Sequence, residues 1–181
     1  MVRTCLDALY RFSGYLAAAF LVAIFLLMLG LSLGREVNLN IPAGDDFAAW
    51  CMAALAFLSL AYTFRSGEII RVGLVIDRFP AGPRRVIELI CLVAGSGLTG
   101  FFAWYAVLMT YDSYRFNDMS QGVIAVPLWI PQLGYSVGLV ILTIAFVDEL
   151  VHVLRGHAPR YEKPAPATPE EIVERVAEGG I

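Results

Sequence analysis

The stretch from Asp45 to Arg85, DDFAAWCMAALAFLSLAYTFRSGEIIRVGLVIDRFPAGPRR, reads as a membrane span followed by a basic apron. From Phe47 to Phe64 there are 18 residues without a charge. That is close to the roughly 20 that cross a hydrocarbon core of about 30 Å at 1.5 Å of rise per helical residue. Arg65, Arg71, Arg78, Arg84 and Arg85 then place five of the 13 basic residues within 21 positions. Short arginine-rich loops stay on the cytoplasmic side, so this segment orients the spans on either side of it.

Composition agrees with a membrane location. Of the 181 residues 59% are hydrophobic and 16% charged, and the mean hydropathy is +0.70, a profile outside the soluble range. Phe12 to Gly34 is 23 uncharged residues with no small-x-small cleavage site after it, too long for the core of a signal peptide and therefore a retained span. Phe47 to Phe64 is the second span, Val86 to Tyr111 the third, and residues 127–147, opened by Pro127 and Pro131, the fourth. Early prolines suit a helix start, where the first N–H groups need no partner. Tyr10, Tyr15, Trp50, Tyr62 and Trp129 fall near span ends, as interfacial aromatics prefer, and Trp104, Tyr105 and Tyr111 are weighted to the outer half of span three.

Basic residues number two before span one, one in the loop 35–46, five between spans two and three, one in the loop 112–118 and four after span four. The sequence thus predicts an all-α integral membrane protein with four transmembrane helices and both termini cytoplasmic. Residues 1–157 form the membrane domain, read as a helix bundle, and 158–181 a cytoplasmic tail. Between spans two and three, 65–83 is too apolar for an open loop and is expected to lie in the headgroup plane. In the tail, PAPATP is a stiff linker, and Thr168 with Glu171 resembles a capping box opening a short helix, with a frayed tail as the alternative.

The spans lack the residues that membrane chemistry needs. The two histidines, His152 and His157, lie at or beyond the end of span four, which argues against haem ligation between helices. Cys5, Cys51 and Cys91 have no metal-ligand or disulfide-generator spacing. No span offers a His or Lys base to a serine, and none places a carboxylate at mid-depth, as proton-coupled exporters do. No metal, cofactor, catalytic residue or nucleic-acid partner is expected. Gly30 with Gly34, Ser96 with Gly100, and Gly134 with Gly138 are small-x-x-x-small pairs, for packing within the bundle or against another subunit. Asp148 and Glu149, at the expected end of span four, oppose the helix dipole. A compensating cation is expected, either Arg84, Arg85 or Arg11 or an arginine of another subunit.

The order of parts, from Arg35 through Asp45 and Asp46 to RSGEIIRVGLVIDRFPAGPRR, and VPLWIPQLGYSVG before span four, resembles the DctQ-type small membrane subunit of tripartite ATP-independent periplasmic (TRAP) transporters. The likeness covers about Phe12 to Arg155. It departs from the family pattern where Asp45, Asp46 and Glu68 replace the usual Glu opening span two and the frequent His after Gly67. The resemblance implies a three-part importer in the bacterial inner membrane. A periplasmic solute-binding protein delivers an organic acid, such as a C4-dicarboxylate or sialic acid, to a large membrane subunit that holds the sodium ions, and this chain enlarges the fixed scaffold. Arg65, Glu68, Arg71, Arg78, Arg84, Arg85, Asp148 and Glu149 are the expected contacts to the large subunit or to phospholipid. Arg35, Glu36, Asp45, Asp46, Asp112, Arg115 and Asp118 are the expected docking charges for the binding protein. An autonomous exporter or the membrane anchor of a redox enzyme is the alternative, separable by what co-purifies.

Overall fold

The structure is a computed structural model that describes residues 2–37, 42–66 and 81–156, with side chains from 6, 42 and 85 onward in the respective segments. The expected interfacial segment between Gly67 and Pro80 and the tail from 157 lie outside the described residues.

Four helices account for nearly all of the described chain: α1 (Val2–Glu36), α2 (Gly44–Ser66), α3 (Ala81–Phe116) and α4 (Trp129–Leu154). All four are long and apolar enough to cross a membrane. α1, α2 and α3 run past their expected spans at both ends, and α4, which starts at Trp129 instead of Pro127, runs past its span at the far end, because the helical pattern survives the first charged residues. Pro83 falls in the first turn of α3, where it removes no needed donor. At the far end of α4, Leu150 and Val153 continue the core-facing stripe of Phe146 and carry the helix beyond Asp148 and Glu149. It stops where Gly156 takes φ 89° and donates its N–H to the Val153 carbonyl at 3.0 Å, a left-handed C-terminal turn that glycine adopts without steric cost.

The helices of the expected four-helix membrane domain form an open row. α1 packs on α2, α2 on α4 and α4 on α3, while α1 touches α4 only lightly. In the most apolar window of α1 6% of residues are buried within the chain, against 33% for α4. The two inner helices therefore carry the protein core, and α1 and α3 turn Phe12, Phe25, Leu33, Phe101, Phe102 and Trp104 outward.

Close approach along the row depends on small residues. A Cβ placed on Gly134 would stand 2.6 Å from that of Ala54, and one on Gly138 would stand 2.6 Å from the Phe57 carbonyl carbon and 2.9 Å from the Leu58 nitrogen. Only glycine lets α2 and α4 meet there, as helices do in lipid where packing drives association. Ala54, Ala61, Ala103, Ala106 and Ala145 are buried along the same seams. Near one end the core is bulkier, with the Phe64 and Phe146 ring centroids 4.2 Å apart.

Candidate functional site

One end of the row gathers the start of α1, the end of α2, the start of α3 and the end of α4, and it is the basic end. Arg65 closes α2 onto α1: its Nη2 donates to the Asp7 carboxylate at 2.9 Å, and its guanidinium carbon lies 6.0 Å from the centre of the Tyr10 ring. Tyr10, expected at the interface, is 2% exposed and inside the core instead, whereas Tyr15 is 74% exposed. The difference follows from the helical spacing of Leu6, Tyr10, Ser13 and Ala17, which puts Tyr10 on the stripe facing α2 and Tyr15 off it. Ser13, fully buried, donates its hydroxyl to the Leu58 carbonyl across the same seam.

Arg85 ties the other pair of helices by donating from Nη2 to the Val153 carbonyl at 3.4 Å. A cation here offsets the negative end of the α4 dipole. Glu149 is 3% exposed and Glu88 9%, so both acids turn into the row at its basic end. Because α4 continues to Leu154, Glu149 stands more than a turn inside the helix, beyond the reach of most of the dipole penalty expected for it. Arg11, named as one of its possible partners, makes no ion pair among the described residues. Glu68, Arg71 and Arg78, and the side chain of Arg84, lie outside the described residues.

At the opposite end, Asp45 and Asp46 occupy the first turn of α2, where the helix dipole favours acids. Gly44, beneath them, is pressed against the Leu31 side chain of α1. The Asp46 carboxylate lies against Gly122 of the α3–α4 loop. That loop is folded back on itself: Asn117 takes φ 53°, Ser120 N–H donates to the Val126 carbonyl at 2.8 Å, and Leu128 N–H donates to that of Asp118 at 2.9 Å. Arg35, Glu36, Asp112, Arg115 and Asp118 are exposed around it. Tyr114 and Trp129 pack edge to face at 5.7 Å and hold the loop to the ends of its two helices.

The small-residue pairs separate into two groups. Gly134 and Gly138 are consumed between α2 and α4, and a Cβ placed on Gly100 would stand 3.6 Å from the Thr143 methyl of α4, an ordinary contact. Gly34 is buried, Gly30 meets nothing within 4 Å, and Ser96 turns its hydroxyl to its own helix at the Val93 carbonyl, 3.0 Å. Polar groups that sequence reading passed over lie between helices. Thr110 and Ser136 share a hydrogen bond of 2.7 Å and both donate to or approach the Ala106 carbonyl, and Gln132 is buried with Oε1 unpaired. The Thr110 and Ser136 hydroxyls are spent on other protein groups, which makes them fasteners between α3 and α4.

No group of His, Cys, Asp or Glu among the described residues has the arrangement to hold a metal ion. No curated protein matches the chain. The family of tripartite ATP-independent periplasmic transporters, DctQ component, matches residues 24–156, which takes in the end of α1, all of α2, α3 and α4, and the three segments that connect them. The chain belongs to that family and is the small membrane subunit of a tripartite transporter, a transport component and not an enzyme.

Proposed function

We propose that this chain is a stationary brace for the large membrane subunit of a sodium-driven, binding-protein-dependent importer of an organic acid, of the C4-dicarboxylate or sialic acid class, in the bacterial inner membrane. The observation that carries the reading is the open row. Its flanking helices leave long apolar faces uncovered by the other described residues, and a subunit that moves solute by rigid-body motion needs a fixed partner to move against. Packing of small and apolar side chains, and not a polar channel, dominates the interior of the row.

In this reading the basic end faces the cytoplasm, following the retention of arginine-rich loops. Arg65, Arg71, Arg78, Arg84 and Arg85 hold that end to anionic headgroups at about 1 kcal/mol each, and Glu68 and Asp148 belong to the same end as contacts for the large subunit, whereas Glu149, buried within the row, supports that end from inside. The opposite end, with Arg35, Glu36, Asp45, Asp46, Asp112, Arg115 and Asp118, meets the binding protein. The test is co-expression of the chain with its large membrane subunit. A stable one-to-one membrane complex, together with no solute flux through liposomes holding this chain alone, is the expected result. Flux through the chain alone overturns the proposal.

A further inference from the structure

We infer that the groove between α1 and α2 at the basic end is a binding site for one phospholipid, with its phosphate held at Arg11 and Arg65 and an acyl chain laid along α1. The site shares Arg65 with the arginine apron and so rests on the headgroup contact proposed for that residue, and it adds Arg11, which lies outside the apron, and a seat for the acyl chain.

A groove of about 530 Å³ runs between the two helices. Gly14, Ala17 and Ala18 of α1 hollow it out, and Leu21 and Leu55 line its deep part. Arg11 stands at its mouth beside Tyr62, whose ring leans to 3.0 Å from where a Gly14 Cβ would be. From Arg11 to Leu21 the groove follows α1 for ten residues, about 15 Å at 1.5 Å per residue. That is half of a hydrocarbon core of about 30 Å, the depth of one leaflet.

The mouth opens beside a polar recess of about 310 Å³ that Arg11 and Arg65 share with Asp7 and Ser66. Among the described residues Arg65 gives Nη2 to Asp7 while its Nη1 has no hydrogen-bond partner, and Arg11 is exposed and makes no ion pair. Among the described residues the recess holds two guanidinium groups against one carboxylate, and guanidinium donors match phosphate oxygens in geometry as well as charge. A hydrophobic protein helix fits the groove but brings no anion to those donors. An acidic peptide matches the charge but not the apolar trough. A phosphate joined to an acyl chain fits both.

The test is native mass spectrometry of the full-length chain in detergent, titrated with dioleoyl phosphatidylglycerol, with dioleoylglycerol as the probe lacking phosphate and glycerol 3-phosphate as the probe lacking chains. One tight phosphatidylglycerol adduct is expected, with both other probes at least tenfold weaker. Arg11→Gln is expected to weaken that adduct about tenfold. Ala18→Phe, which fills the groove from an exposed position, is expected to weaken it comparably while helical circular dichroism is retained; should it misfold, Arg11→Gln decides alone. Unchanged binding in Arg11→Gln, equal affinity for dioleoylglycerol, or loss of the large subunit from the Ala18→Phe complex with its lipid affinity intact would each overturn the inference, the last by assigning the groove to protein.

Discussion

Substituting alanine at Gly138 adds one methyl group at the tightest point of the α2–α4 seam. The new carbon would stand 2.6 Å from the Phe57 carbonyl carbon and 2.9 Å from the Leu58 nitrogen, both of them backbone atoms that no rotamer change can clear. Carbon contacts become favourable only at about 3.5 Å, so the helices must part by up to about 0.9 Å, a gap that forfeits a quarter to a half of each dispersion contact it opens. Overpacking of this kind costs about 1–3 kcal/mol. Alanine also gains about 1 kcal/mol of helix propensity over glycine, so the reference is Gly30→Ala, which carries the same gain and meets nothing within 4 Å. The difference between the two variants isolates the packing term. At about 2–4 °C per kcal/mol for a chain of this size, Gly138→Ala should melt about 2–12 °C below Gly30→Ala in thermal unfolding followed by circular dichroism in detergent. Equal midpoints would refute close backbone contact at Gly138 as what holds α2 to α4.

Arg65→Gln and Asp7→Asn should each destabilise by less than about 1 kcal/mol, because the pair is 26% and 45% exposed and partly screened. In a double-mutant cycle the second change should add little to the first, and full additivity would mean that the two side chains do not interact. Thr110→Val, which removes the 2.7 Å bond to Ser136 between α3 and α4, should cost about 0.6 kcal/mol and at most about 1.7; no change in midpoint would show that Ser136 finds an equivalent partner. Neutralising Asp112, Arg115 and Asp118 together should flatten the salt dependence of binding-protein-driven uptake while leaving the membrane complex intact, since rim charges act chiefly on association rate. An unaltered salt profile would remove those residues from the docking face.

The four helices were legible in the sequence because an uncharged run of 18 residues or more announces itself without any tertiary information. Their neighbours were not. A lipid tail is as apolar as leucine, so the outward faces of α1 and α3 read the same as the inward face of α4, and hydropathy alone cannot tell a closed bundle from a row. The glycines at 134 and 138 and the arginine-rich run were visible as residues, and only the fold assigns the former to a seam inside the chain. Ending span four at its first acid hid the burial of Glu149, because Leu150 and Val153 carry the core-facing stripe onward. Asp7 went unread as the mate of Arg65 since 58 positions separate them. The spacing of Leu6, Tyr10, Ser13 and Ala17 is the signal that would have found that seam.

The spatial order of the helices also differs from their order of synthesis. α4 sits between α2 and α3, so when α3 leaves the ribosome its eventual neighbour does not yet exist. α1 and α2 can pair as a hairpin at once, whereas α3 must wait alone in the bilayer until the last segment wedges in beside it. Biogenesis of this protein therefore hinges on its final transmembrane segment, and a nascent chain halted after Phe116 would hold a finished hairpin and an unattached third helix.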